Sequence, residues 1–329
     1  MRAAYYEDKG PAAEVLKLGD LPTPEAGEGE VRIKIAASGV NPADVKLRAG
    51  LSNYGFDFDM VVPNSDGAGT VDQVGAGVHP SWLGKRVWLV NGQRLGRNMG
   101  TAAEYIALPV KFVTELPDHV SFSEGATLGI PAMTAYHGVF WNGPVDGKTL
   151  FVSGGAGSVG WYAIALAVWG GARVIATVSS EEKAARALEA GAAGTINYRT
   201  GDVAAEIKEQ TAGAGVDAVV SVDFGSDLKW LTDVVKPNGW VSAYASDGDR
   251  TPALPFHLFA RRNTIVRPFI LNALPPDVLD RTRWGVDLWT RQVPNSNRPV
   301  AGVFSLNDIV AAHEAVESGD KFGTVVVEP

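Results

Sequence analysis

In EVRIKIAASGV (30–40), Val31, Ile33 and Ile35 alternate with Arg32 and Lys34. A period of two marks a strand with one buried face. GAGTVDQVGAGV (67–78) reads as a glycine-punctuated strand and turn, and KRVWLV (85–90) and AAEYIALP (102–109) as further strands. Prolines at 22, 24, 42, 63, 80, 109 and 117 interrupt this stretch, as in a compact barrel with loops. From about 121 the rhythm changes. SFSEGATLGIPAMTAYHGVF (121–140) predicts two short helices, with Ser121 or Ser123 as an N-cap. Strands then follow at TLFVSG (149–154), RVIATV (173–178), TIN (195–197), DAVVSV (217–222), WVSAY (240–244) and TIVRPFI (264–270). Helical segments such as SEEKAARALEAG (180–191) and DVAAEIKEQTAG (202–213) fit between them. This alternation predicts an α/β fold with a doubly wound, six-stranded parallel sheet. After 270 the pattern reads as loops, then a helix over 306–319 and a last strand in GTVVVEP, which completes the first domain. The expected organisation is therefore residues 1–120 with 271–329 as one domain, and 121–270 as the other.

Composition narrows the chemistry. The 329 residues are long for one core and comfortable for two. Net charge is −8 and no polybasic block occurs, so nucleic acid is not an expected partner. The start, MRAAYYEDKG, lacks the apolar core of a signal peptide. The longest apolar run, around Val159 to Ala172, carries glycines and falls short of the roughly 20 residues of a membrane span. A cytoplasmic location is expected. There is no cysteine, so disulfides, thiolate nucleophiles and cysteine zinc sites are excluded. His79, His119, His137, His257 and His313 are scattered, with no pair at metal-ligand spacing.

Gly155-Ala156-Gly157-Ser158-Val159-Gly160 is a full GxGxxG that follows a strand and opens a helix, the context of a dinucleotide turn. Gly155 permits the tight turn, Gly157 lets the backbone approach a pyrophosphate, and Gly160 lets helix and strand pack. An NAD site places Asp or Glu roughly 20 residues on, at the tip of the second strand. Here that strand ends Val178-Ser179-Ser180, and Lys183 follows. Loss of the carboxylate removes repulsion of a 2′-phosphate, which Lys183 and the Ser179 hydroxyl can hold, so NADPH is the expected cofactor. Two other readings compete. Ser179 with Glu182 fits a helix capping box, with Lys183 a solvated lysine. Alternatively, Glu181 or Glu182 swings back and accepts NAD.

These residues add up to a resemblance. SGVNPADVKLRAG (38–50), SDGAGTVDQVGAGV (65–78), GIPAMTAYHG (129–138), the GxGxxG, INYR (196–199) and HEAVESGDKFGTVVVEP resemble, in order, the zinc-independent quinone oxidoreductases. That family, which includes ζ-crystallin, lies within the medium-chain dehydrogenase/reductase superfamily. The resemblance implies a GroES-like catalytic domain built from both chain ends, a Rossmann domain between, and a cleft for the nicotinamide. The positions of the zinc ligands in zinc-using relatives match Asn41, Ser65 and Ile130, which implies no catalytic metal. Hydride transfer from NADPH to a quinone or an α,β-unsaturated carbonyl is the implied reaction, because such acceptors delocalise the delivered charge without a Lewis acid.

By family position, Asn41 and Thr134 line the nicotinamide end, and Asn41 is placed to hydrogen-bond an oxyanion or the ribose. Turn and packing roles compete for both, and a structural role competes for Asp44. Gly157, Ser158 and Val159 match the pyrophosphate turn; Ser179, Lys183 and Tyr198 match the 2′-phosphate pocket. Tyr244, Ala245 and Ser246 match the cofactor path, and Pro268, Phe269 and Ile270 the segment behind the nicotinamide. Relatives carry tyrosines near Lys46 and Ser52; Tyr54 stands nearby as a candidate proton donor or stacking ring. Two alternatives remain open. One is an enoyl-thioester or alkenal reductase, for which Arg261, Arg262 and Arg267 are the candidate basic ring. The other is a non-enzymatic NADPH-binding protein. The apolar sixth Rossmann strand is an edge that needs covering, so a homodimer is expected.

Overall fold

The computed structural model describes residues 1–52, 58–294 and 297–329. The chain divides into two compact units: Met1–Pro131 with Thr290–Pro294 and Arg298–Pro329, and Ala132–Trp289 with Asn297.

The first unit is built around the strand Glu30–Val40, in a seven-stranded sheet. One edge of this strand pairs antiparallel with Asp66–Val74. Its other edge is shared by Tyr105–Pro109 and by the last strand, Thr324–Glu328. Val325 lies opposite Val40 and Val327 opposite Ser38, so the end of the chain closes a sheet begun near its start. The predicted alternation is realised, with Val31, Ile33 and Ile35 buried and Lys34 exposed. They pack with Val71, Val87, Leu89, Ile106 and Leu108. Each such side chain contributes about 1.5–3 kcal/mol on burial. In a second cluster, helix Ile309–Glu317 sets Ile309, Ala312 and Val316 on one face beside Val325 and Val327.

The second unit is a parallel sheet of six strands. Their order across the sheet is Gly194–Asn197, Arg173–Val178, Thr149–Val152, Val216–Ser221, Val235–Ala243 and Ile265–Pro268. The first strand in sequence, Thr149–Val152, lies at the centre, and the winding reverses beside it. Ligands of such sheets bind outside the strand C-termini at this switch point. Leu150, Phe151, Val152, Val174, Ile175 and Ala176 are all buried, as continuous apolar strands of a two-sided sheet should be.

Between 271 and 305 the structure departs from the sequence reading, with a strand at Val300–Ser305 and a long helix before it. Where loops are expected, Pro276–Gln292 forms a 17-residue helix. Its buried stripe is Thr282, Gly285, Val286, Trp289 and Thr290, while Trp284 and Leu288 face outward. The helical period is present, but small and polar residues carry more than half of it, so apolar positions alone do not reveal it. Pro276, in the first turn, is tolerated because an N-terminal residue needs no backbone donor. Among the described residues, no helix is long and apolar enough to cross a membrane.

Candidate functional site

The glycine turn joins strand Thr149–Val152 to helix Ser158–Trp169, whose N-cap is Gly157. The Gly154 N–H donates to Thr177 Oγ1 (3.0 Å) and that of Gly155 to the Thr177 carbonyl (2.8 Å). These bonds tie the turn to the second strand. A Cβ on Gly160 would stand 2.1 Å from the Gly154 carbonyl oxygen, and one on Gly155 2.7 Å from Ala176 Cβ. Both approaches require glycine. The first i→i−4 bond runs from Trp161 N to Gly157 O (2.9 Å). The amides ahead of it, those of Val159 and Gly160 among them, form the positive end of the helix, which suits a pyrophosphate.

At the tip of the second strand, the Tyr198 N–H donates to the Val178 carbonyl (3.1 Å), which brings Tyr198 beside Ser179. Ser180 Oγ accepts from the Lys183 N–H (3.2 Å), so the helix cap is Ser180. The Ser179–Glu182 capping box considered from the sequence does not form. The backbone stays extended through Ser180 (φ −161°, ψ 164°), which delays the helix start to Glu181. Ser179 is thereby left outside the cap. Both Glu181 and Glu182 are exposed in the first turn. A cavity of about 800 Å³ opens at the switch point, lined by Gly154, Thr177 and Tyr198 on one side and Val222, Asp223 and Asp227 on the other.

Asp227 escaped the sequence reading. It accepts a 2.6 Å hydrogen bond from Ser221 Oγ, and burial pushes its carboxyl up to about 6. The signal that points to it is a serine near the end of each central strand, Ser153 and Ser221. Ser153 Oγ accepts from the Val222 N–H (2.8 Å), which joins the two strand ends.

The two segments expected along the cofactor path meet at a second cavity, of about 590 Å³, which Tyr244, Ala245 and Ser246 line together with Pro268, Phe269 and Ile270. The Phe269 N–H donates to the Ala243 carbonyl (2.9 Å) and fixes one segment against the other. Burial, with Asp227 adding to it, raises the Tyr244 phenol above its usual range. Thr134 is buried on helix Ile130–Phe140. Tyr54 lies outside the described residues. Of the three candidate arginines, Arg262 Nη1 donates to the Val235 carbonyl (2.8 Å) and Arg267 lies over the Trp141 ring.

In the first unit, Asn41 caps helix Pro42–Arg48. Its backbone N–H donates to Asp44 Oδ2 (2.9 Å), and its side-chain Nδ2 to Asp66 Oδ2 (2.7 Å). The Ile130 N–H reaches the same Asp66 oxygen (2.8 Å). Ser65 Oγ and Arg94 Nη2 both donate to Asp44 Oδ1, at 2.9 and 2.7 Å. All these side chains except that of Ile130 are buried. Burial, with Asp44 adding to it, pushes the Asp66 carboxyl up to about 8. The close fit extends to Gly129, where a Cβ would stand 2.1 Å from Asp66 Oδ1.

Asn41, Ser65 and Ile130, the residues expected at the zinc-ligand positions, bring a neutral amide, a neutral hydroxyl and an aliphatic side chain in place of the thiolate, imidazole and carboxylate groups that hold zinc. The amide and the hydroxyl are already engaged with Asp66 and Asp44, a set that fits the metal poorly. Among the described residues, no group of three His, Cys, Asp or Glu side chains could hold an ion. Asp66 and Arg94 were not singled out from the sequence; the one available signal is that Asp66 adjoins Ser65 in SDGAGT.

Two family descriptions match the chain: an alcohol dehydrogenase GroES-like domain over residues 27–118, and a zinc-binding dehydrogenase over 158–283. The chain is similar to a 2-methylene-furan-3-one reductase of Solanum lycopersicum, at 31% identity over all of this chain and 79% of that one. It is similar to a quinone oxidoreductase of Homo sapiens, at 31% identity over 70% of each chain. Among solved structures, a mycobacterial protein complexed with NADPH superposes with a TM-score of 0.85, at 27% identity and full coverage of both chains.

Proposed function

Because this chain belongs to the quinone oxidoreductase family of the medium-chain dehydrogenases/reductases, we propose that it is an NADPH-dependent, zinc-independent reductase of quinones and α,β-unsaturated carbonyls. The observation that carries this reading is the donor network at Asn41, Ser65 and Ile130, which fills a metal site's place with hydrogen-bond donors. With no Lewis acid to hold an alkoxide, the suitable acceptors are those that spread the delivered charge over their own π system. The relatives named above reduce acceptors of that kind.

NADPH, when bound, supplies the hydride. The helix start at Val159 and Gly160 holds the pyrophosphate, and Gly155, Gly157, Ser158 and Gly160 form its cradle. Ser179, Lys183 and Tyr198 hold the 2′-phosphate. Tyr244 to Ser246 and Pro268 to Ile270 flank the path toward the nicotinamide. Thr134 is a candidate contact of the nicotinamide, and Asn41 a candidate hydrogen-bond donor to the acceptor's developing oxyanion. The edge strand Ile265–Pro268 carries exposed Ile265, and a twofold pairing of this edge in a cytoplasmic homodimer covers it; a monomeric mass in light scattering would contradict the dimer.

The test is NADPH oxidation against ortho- and para-quinones, alkenals and enoyl-CoA thioesters, with and without a strong chelator. Chelator-insensitive turnover of quinones or enones is expected. Tight NADPH binding without turnover of any acceptor would instead favour a binding protein, and turnover confined to thioesters the enoyl-reductase alternative.

A further inference from the structure

We propose that the second unit carries a binding site for an aromatic carboxylate centred on Arg267, in a cavity that none of the glycine-turn residues lines, although Arg267 itself also lines the 590 Å³ cavity beside Tyr244. The cavity measures about 400 Å³, and its wall includes Tyr136, His137, Phe140, Trp141, Arg267 and Arg281.

Arg267 sits in the edge strand opposite Ser242. Among the described residues it pairs with no carboxylate. Its guanidinium instead lies over the Trp141 ring, 4.8 Å from the centroid. That ring is fixed in place, because Trp141 Nε1 donates to Ser242 Oγ (2.6 Å) and Ser242 Oγ donates to the Gly138 carbonyl (2.7 Å). A guanidinium held against a fixed ring keeps its fork of N–H groups for a planar oxyanion. A partly buried cation without a counter-ion is costly to maintain, and an anionic ligand offsets that cost.

His137 supplies a second polar atom, its Nε2. It is buried, its Nε2 meets no hydrogen-bond partner, and its ring stands edge-on to Phe269 at 4.7 Å. Burial, with Arg267 adding to it, pushes its pKa down to about 4, so the imidazole is neutral and has one N–H to donate. Buried polar atoms of this kind ordinarily have partners.

The remaining wall selects the body of the ligand. Tyr136 and Phe140 lie 4.8 Å apart, and Trp141 adds a third ring. Gly285 makes room for Tyr136, since a Cβ there would stand 2.0 Å from its Cζ. Arg281 joins the wall from the Pro276–Gln292 helix, where it is exposed and pairs with Asp277 at 3.1 Å. Two guanidinium groups and three aromatic rings suit a flat ring bearing one carboxylate. A bare phosphate would leave the rings unused.

Benzoate is the probe, followed by ligand-observed NMR on the full chain without NADPH, so the outcome does not depend on the proposed reductase activity. Saturable binding of benzoate and none of benzyl alcohol is expected. Arg267→Gln should weaken benzoate about tenfold or more, the loss of roughly one charge-assisted contact, and Arg267→Lys less. Arg281→Gln, at an exposed position where folding is not at risk, should weaken it a few-fold. Absence of saturation, or equal binding by wild type and both glutamine variants, overturns the proposal. Inorganic phosphate binding as tightly as benzoate overturns the assignment to an aromatic carboxylate.

Discussion

The side-chain amide of Asn41 donates to the carboxyl of Asp66 at 2.7 Å, with both residues buried. The backbone of Asn41 is bound as well, to Asp44, so side chain and helix start are fixed together. Asn41→Ala would leave the Ile130 N–H as the donor to that buried carboxyl oxygen. Loss of a buried partner costs about 1–3 kcal/mol. Urea unfolding should show a destabilisation of that size, and kcat/KM for a quinone should fall further than stability explains. A variant that loses stability and keeps full kcat/KM would return Asn41 to a purely structural role.

Asp66 should make stability depend on pH in an unusual direction. Its carboxyl is raised in the fold from the ordinary value near 3.8 to about 8. Between these values the folded chain binds the extra proton and the unfolded chain does not. Stability must then fall as pH rises across this window, the reverse of a salt-bridged aspartate. Asp66→Asn keeps an acceptor for both Asn41 and Ile130 and has no proton to lose. Melting temperatures from pH 5 to 8 should decline more steeply in the wild type than in this variant. Parallel profiles would show that Asp66 is ionised throughout.

The turn that opens the Rossmann helix was legible because its chemistry is local: Gly155, Gly157 and Gly160 fall within six residues, between a strand and a helix with clear apolar patterns. The alternating strands were legible for the same reason. The pairings of Asn41 with Asp66 and of Asp44 with Arg94 were not, since their members stand 25 and 50 residues apart and meet only in the fold. The helix Pro276–Gln292 stayed hidden because Thr282 and Gly285 occupy its buried stripe while Trp284 and Leu288 face out. Ser179 and Ser180 differ by one residue, and only the backbone dihedrals decide which of them caps.

Gly160→Ala tests the cradle. The added methyl would meet the Gly154 carbonyl oxygen at 2.1 Å, and backbone cannot swing aside as a long side chain can. Either the helix shifts off the turn or the turn opens, a strain of about 1–3 kcal/mol. Thermal unfolding should occur at a lower temperature, and NADPH should no longer protect against it. Full NADPH protection in this variant would place the pyrophosphate elsewhere.

Lys183→Ala separates the two cofactors. The cap to Ser180 uses the backbone N–H of residue 183, which alanine retains, so the helix start survives the change. What is lost is a cation one turn from a strand tip that carries no carboxylate. A hydrogen bond to a charged partner contributes about 1.5–3 kcal/mol, so kcat/KM for NADPH should fall about tenfold or more. NADH has no 2′-phosphate to lose, and its kcat/KM should change little. Ser179→Ala should move the ratio in the same direction by a smaller step, because a neutral hydroxyl gives a weaker bond than an ammonium. Equal losses for both cofactors in Lys183→Ala would remove the 2′-phosphate from this corner of the sheet and leave Glu181 and Glu182 as ribose ligands for NAD.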